Sequence, residues 1–346
     1  MTEFIFRKYK NEDKEQVLNL LGNALWHFPQ EERVAYFDWK YEQNPYTESP
    51  LGFVSLDGEK IIAFRGYMLQ PLSIAGKIYY NAALADTVTD SSYRRMGLFS
   101  RITKFSLEEL EKDPQIFVST NSSSGGPTLN GYLKLGWIPL TERGHLFSFT
   151  WRSLFPKHQN SSNYSYTKRN TQVVLTTECR ATEIGNLALS KIPMNLISVY
   201  TDEKYVGWRY ANPNAKYFFA YFYQDEKLKA YIVLKKIAER KYDIVDYQCE
   251  EKRMLKTLLS KTHRWLNPMY ILNWIVNHND IKTKEHSMGF VNLDFILNRI
   301  SKFKTPPFLI RTTKTFQNEQ DWTIDGKVDM KNIANWNLNK VVADEI

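Results

Sequence analysis

Residues 91–105 read SSYRRMGLFSRITKF, and the order of charge, glycine and apolar residues there sets the reading of the whole chain. From Leu98 the apolar side chains fall at Leu98, Phe99, Ile102, Phe105 and Leu110, close to helical spacing. Arg94, Arg95, Met96 and Gly97 therefore occupy a turn that leads into an amphipathic helix. The first N–H groups of a helix have no partner within it, and the peptide dipoles there favour negative charge. Glycine lets an anion approach the backbone closely, and arginine supplies countercharge. The turn from Arg94 to Leu98 is thus a candidate phosphate or pyrophosphate cradle. Its plainer reading is a surface turn with two solvated arginines.

Around this turn the chain repeats itself. FDWKYEQNPYTESPLGFVSLDGEKIIAFRGYML spans residues 37–69, and VGWRYANPNAKYFFAYFYQDEKLKAYIVLKK spans 206–236. Each carries Trp, a basic residue, Tyr and then Asn-Pro: Trp39, Lys40, Tyr41, Asn44 and Pro45 in one, Trp208, Arg209, Tyr210, Asn212 and Pro213 in the other. In each, a strand-like run, an acidic turn (Asp57-Gly58 or Asp225-Glu226) and a second run follow, the pattern of a hairpin. The first copy continues through the strand ALADTVT (83–89), the arginine-glycine turn and its helix, the strand PQIFVSTN, and a short helix ending in YLKLGW (132–137). The second continues through KYDIVDYQCE, the helix EEKRMLKTLLSKTHRWL, the strand MYILNWIVNH and a turn at Gly289-Phe290. Recurrence of one element order predicts two homologous α/β domains, residues 1–154 and 171–346, joined by the polar linker 155–170.

These residues resemble the GNAT acyltransferase superfamily. RRMGLF is similar to the family's acyl-CoA signature, Arg/Gln-x-x-Gly-x-Gly/Ala, at Arg94 and Gly97, with Phe99 in the last small position. YLKLGW is similar to the family's Tyr-x-Lys-x-Gly-Phe at Tyr132, Lys134 and Gly136, with Trp137 as the aromatic residue. The resemblance covers residues 3–150, extends more loosely over 200–315, and hardly touches the tail from 316. The Trp-Lys-Tyr-x-x-Asn-Pro segment resembles a GNAT subgroup found beside bacterial polysaccharide genes. The resemblance implies tandem GNAT-like domains, each a mixed, mostly antiparallel sheet flanked by helices, with the second copy degenerate. It implies acetyl-CoA or another acyl-CoA as cofactor, and N-acyl transfer to a small-molecule amine or amino sugar as the activity.

The family's chemistry then assigns expectations residue by residue. The diphosphate would meet Arg94, Arg95, Met96, Gly97 and Leu98 at the helix start, one arginine serving as countercharge. The pantetheine arm has amides spaced like a peptide, and would add to the strand 83–89 through backbone groups of Asp86, Thr87 and Val88. Acyl transfer to an amine moves one proton off the ammonium and one onto the leaving thiolate. A phenol of pKa about 10 matches a thiolate of pKa about 8.5, and Tyr132 is the candidate acid. Asp86 is the first candidate base. Asp90 is the second, or else the residue that initiates the turn. Asn121 either holds an amide or hydroxyl or starts the loop NSSSGGP.

The second copy reads CEEKRMLKTLL at the corresponding turn, with no glycine and with Glu250 and Glu251 where a diphosphate would be repelled; Glu285 stands where Tyr132 does. One acyl-CoA site is therefore expected, in the first copy. Tyr205, Trp208 and Tyr210 either line an acceptor groove or pack their own helix on its sheet. A net charge of +8 suits an anionic ligand, but the basic residues form no block, which speaks against nucleic acid. The N-terminus MTEFIFRKYKNEDKEQ has no apolar signal core, and no apolar run approaches the roughly 20 residues that span a bilayer. Cys179, Cys249 and the six histidines match no metal spacing. A cytoplasmic protein without metal or membrane partner is the expectation. A Fem-type enzyme using aminoacyl-tRNA and a non-enzymatic GNAT pair acting as sensor or scaffold are the alternatives.

Overall fold

The structure, a computed structural model, describes residues 3–141, 144–149, 163–275, 290–292 and 307–337. The chain opens with β1 (Ile5–Lys8), α1 (Lys14–Ala24) and α2 (Gln30–Phe37), which runs on as a π-turn over Asp38–Glu42. A meander of β2 (Gly52–Asp57), β3 (Lys60–Ile74) and β4 (Lys77–Thr89) follows, its strands antiparallel. Then come α3 (Leu98–Leu110), β5 (Ile116–Asn121), α4 (Gly126–Lys134) and β6 (Ile138–Thr141). Every residue of β3 after Lys60 is buried, because helices cover both faces of the strand. Phe64 points to Phe37 and Tyr41, whereas Arg65 reaches Tyr132 of α4 and Tyr67 reaches Ser106 of α3.

The second copy repeats the order. After β7 (Gly144–Ser148), which closes the span of the first copy, it comprises β8 (Tyr164–Lys168), β9 (Thr171–Thr176), α5 (Ala181–Ser190), β10 (Ile197–Val199) and α6 (Glu203–Arg209). The antiparallel meander β11 (Tyr217–Gln224), β12 (Lys227–Ala238) and β13 (Lys241–Cys249) leads to α7 (Lys252–Leu266), β14 (Tyr270–Ile275) and β15 (Phe290–Asn292). Further along the chain lies β16 (Phe308–Thr312).

Two compact units result, and they do not follow chain order. The first takes the chain up to Leu140, Ala211–Asn214 and Phe308–Asn332; the second takes the described residues of Thr141–Tyr210, of Ala215–Pro307 and from Ile333 onward. In the first sheet the strands run β1-β2-β3-β4-β5-β16-β6, and in the second β15-β7-β14-β13-β12-β11-β9-β8. The copies have thus exchanged a strand: β7, encoded with the first copy, pairs with β14, and β16, encoded with the second, pairs with β5. The expected boundaries at 154 and 171 are drawn along the sequence, whereas the cores close through strands from both halves. Within the expected linker, residues 155–162 lie outside the described residues, and Tyr164–Lys168 is a strand. It pairs with β9 because Arg169 takes a left-handed φ of 54° and closes a tight hairpin. Among the described residues no helix is long and apolar enough to cross a membrane.

Candidate active site

Three elements of the first unit converge on Tyr132. It stands on α4 and is buried; Phe99, from the first turn of α3, meets its ring edge-on at 5.2 Å, and Trp137 does so at the same distance. Its hydroxyl accepts a hydrogen bond from Arg65 Nη1 at 2.5 Å and lies 3.5 Å from Thr87 Oγ1 of β4. The same Arg65 nitrogen donates to Thr87 Oγ1. Burial by itself would lower the Arg65 pKa, but the Tyr132 and Tyr67 oxygens beside it carry the balance upward, so the guanidinium stays charged.

The turn before α3 is open. Asp90 caps the short 3-10 turn Ser91–Tyr93, accepting from Ser92 N at 2.9 Å and pairing with Lys60 at 2.7 Å; Lys60 and then Ser92 hold its carboxyl below the ordinary range. Arg94 is extended, Arg95 is left-handed at φ 67°, and Gly97 is left-handed at φ 75° as the residue preceding α3. No side chain caps this helix. The first helical bond runs from Arg101 N to Gly97 O at 3.1 Å, so the N–H groups of Leu98, Phe99 and Ser100 stand ahead of the ladder. A Cβ built on Gly97 would meet no atom within 4 Å. Arg94, Arg95 and Met96 are exposed, while the Leu98 side chain is buried with Phe4 and Ile62, leaving its backbone to face the turn. Phe99, in the position where the signature has a small residue, packs on α4: a Cβ on Gly131 would lie 2.8 Å from its ring. The glycine on the neighbouring helix takes up the bulk.

Strand β4 leaves β5 early. The two pair in parallel only at Tyr80 opposite Ile116 and Asn81 opposite Val118, and Ser119 Oγ then donates to Ala82 O at 2.8 Å. On the opposite edge of β5, Val118, Ser119, Thr120 and Asn121 pair with Thr312, Arg311, Ile310 and Leu309 of β16. Among the described residues, no strand pairs with the β5-facing edge of β4 from Ala83 to Thr89. Asp86, Thr87 and Val88 lie on this splayed stretch, and the Val88 side chain is buried. A bulge sits there too: Arg65 faces Thr87 and Tyr67 faces Leu84, so Ala85 and Asp86 together oppose Gly66.

Asp86 has partners other than those a general base needs. Its carboxylate accepts from Trp26 Nε1 at 3.1 Å and Tyr41 Oη at 2.7 Å, and pairs with Lys40 Nζ at 2.8 Å. Lys40 is itself buried, and its ammonium lies over the rings of Tyr36, Tyr41 and Trp26 at 5.3, 5.8 and 5.9 Å. Burial and then the Asp86 charge push the Tyr41 phenol well up, which keeps it a donor. The second copy builds the same contact without the arginine-glycine turn: Tyr231 donates to Asp246 at 2.9 Å and Tyr210 does so at 3.4 Å. Asn121 ends β5 and serves its own loop, accepting from Ser123 N and Ser124 N and donating to Ser124 Oγ at 2.7 Å.

In the second copy, α7 begins after Glu251, which pairs with Arg253, while Glu250 pairs with Lys229 at 2.9 Å. Tyr205 and Trp208 are buried and Tyr210 is half-buried against Tyr217 and Phe219, so all three pack rather than line an open groove. Glu285, Gly289, His158, His278 and His286 lie outside the described residues. Sequence reasoning passed over Arg65, Lys40 and Trp26. For Arg65 a signal existed, an arginine set inside the apolar run KIIAFRGYML, where a charge is rare without a task.

The profile described as "Acetyltransferase (GNAT) domain" matches residues 6–139. A conserved Enterococcus faecalis protein described as a probable N-acyltransferase shares 15% identity, covering 91% of this chain and 74% of its own, at a TM-score of 0.64. A tandem GNAT protein from the clavulanic acid biosynthesis pathway shares 13%, covering 90% and 99%, at 0.52. N-myristoyltransferase from Saccharomyces cerevisiae, solved with bound myristoyl-CoA, shares 11%, covering 98% and 86%, at 0.52. No curated protein matches the chain in sequence.

Proposed function

We propose that the protein is an acyl-CoA-dependent N-acyltransferase, moving an acetyl group to the amine of a small molecule or amino sugar; the match of residues 6–139 to the GNAT acetyltransferase profile and the likeness in fold to a tandem GNAT protein support this reading. The observation that carries this reading is a juxtaposition in one unit. An uncapped helix start with open space over Gly97, an unpaired strand edge at Asp86–Val88, and a phenol 3.5 Å from Thr87 on that same strand come together there. Acyl-CoA suits this set chemically, and the fold neighbour that holds myristoyl-CoA supports the cofactor class.

Bound acyl-CoA supplies a thioester that an amine can attack. The protein's own part is to hold and to move a proton. The N–H groups of Leu98, Phe99 and Ser100 with Arg94 or Arg95 hold the diphosphate. The backbone edge at Asp86–Val88 aligns the arm, and fixing the thioester is itself worth several kcal/mol. Tyr132 holds the proton that the departing sulfur needs. Asp86 enters as a wall of the site, its carboxylate spoken for by Lys40, Tyr41 and Trp26. Calorimetric titration with acetyl-CoA tests the reading, followed by thiol release across a panel of amines and amino sugars. Saturable heat and one accepted amine are expected. No binding at millimolar acetyl-CoA in folded protein would overturn the reading, and salt-dependent tRNA binding in its place would favour an aminoacyl transferase.

A further inference from the structure

Arg65 is placed in a way that packing does not require. It is fully buried in the middle of β3, and a buried charge is costly unless something compensates it. Among the described residues no carboxylate pairs with it. Tyr67 and Tyr132 flank the guanidinium at 5.0 and 5.1 Å, Nη1 donates to Thr87 Oγ1 and the Tyr132 hydroxyl, and the Tyr67 oxygen stands beside the group. A methionine or leucine would fill the same space without the desolvation cost. The arginine therefore serves the oxygens around it, and Nη1 donates to two of them, Thr87 Oγ1 and the Tyr132 hydroxyl.

Resting on the reading of Tyr132 as proton donor, we infer that Arg65 is the positioning residue of that donor. A guanidinium N–H can only donate, so the Tyr132 oxygen accepts from it. The phenol's own hydrogen is thereby turned away from Arg65. Its nearest protein acceptor, Thr87 Oγ1, stands at 3.5 Å, the limit of a hydrogen bond, and already receives an N–H from Arg65. The hydrogen thus points along the unpaired edge of β4, where a thioester sulfur would lie. When the carbon–sulfur bond breaks, the O–H hydrogen passes to sulfur and the O–H electron pair stays on the Tyr132 oxygen. The fixed charge of Arg65 stands beside that oxygen until it regains the proton released by the acylated nitrogen. Thr87 holds the other side of Arg65 Nη1 and keeps the guanidinium in register.

The test is a double-mutant cycle. In the wild-type background Arg65→Met should lower kcat for acetyl-CoA turnover about tenfold or more, with the calorimetric Kd for acetyl-CoA unchanged within about twofold. In a Tyr132→Phe background the same substitution should cost nothing further. Thr87→Val, a near-isosteric change, should repeat the pattern more weakly and serves where Arg65→Met does not fold. In cofactor-free protein with 13C-labelled tyrosine, the ring-carbon resonance assigned by its loss in Tyr132→Phe should shift in Arg65→Met or Thr87→Val. Equal losses of kcat in both backgrounds, or an unmoved resonance, would overturn the role of Arg65 while leaving Tyr132 in place. Full turnover by Tyr132→Phe would overturn the phenol's role and this inference with it.

Discussion

At the scale of single residues, two glycines do opposite work. Gly97 keeps space open: it sits at φ 75° with nothing within 4 Å of a would-be Cβ, so a side chain there would strain the backbone and fill the room an anion needs. Gly97→Val should weaken acetyl-CoA binding by about tenfold or more, read by calorimetry, with little change in melting temperature beyond the roughly 1–2 kcal/mol of left-handed strain. Gly66 lets a side chain come close: a Cβ there would lie 2.2 Å from Tyr41 Oη, the group that bonds Asp86. Asp86 and its partners form a buried polar cluster, and breaking one side leaves a charge stranded. Lys40→Met should cost about 3–5 kcal/mol in denaturant unfolding, and adding Asp86→Asn should restore part of it. The sequence placed Asp86 on the strand facing the site but could not show its partners. Trp26 and Lys40 lie far from it along the chain and meet it only when α2 covers the sheet.

At the scale of elements, the helices carry their departures from pattern in pairs. Phe99 on α3 reads in isolation as an obstruction of the turn, yet its ring lies over Gly131 of α4 and beside Tyr132. Gly131→Ala should therefore push Phe99 aside and lower turnover more than stability. A loss of stability with normal turnover would show that the two helices adjust independently. In the second unit, α7 carries His263, whose Nε2 lies 2.9 Å from Ser148 Oγ of β7. Burial lowers the His263 pKa from 6.5 to about 4. Between pH 6.5 and 4 the unfolded chain takes up a proton that the folded one refuses, so stability falls as pH falls through that window, by up to about 3 kcal/mol. Unfolding midpoints measured from pH 7 to 4 should show this decline, and His263→Gln should flatten it. The elements themselves were legible: the hairpin turns, the helix after Gly97 and the short helix ending at Gly136-Trp137 all stand where apolar spacing and turn residues put them.

At the scale of the molecule, the exchanged strands decide what can fold alone. β16 pairs with β5 from Leu309 to Thr312, and Arg311 donates to Leu135 O at 2.9 Å, closing the C-terminal end of the helix that bears Tyr132. Burial pushes this arginine down to about 10, so it remains a cation at neutral pH, suited to a helix carbonyl end. A chain ended at residue 154 would lack β16, leave the edge of β5 bare and lose this contact. It should aggregate or melt without a cooperative transition, as followed by circular dichroism. A sharply melting fragment would show that β16 is dispensable.

By itself the sequence determined the duplication, the order of elements in each copy, and which copy keeps an arginine-glycine turn ahead of its helix. Those features are local: apolar periodicity, turn residues and helix-start chemistry act over a few residues and leave their mark in the string. The tertiary structure alone decided which strand completes which sheet, that Asp86 is bound to Lys40, Tyr41 and Trp26, and that Arg65 holds Tyr132. Each of these joins residues tens to hundreds of positions apart. They are brought together by burial and by the need to satisfy buried polar groups, and neither is written in any short window of sequence.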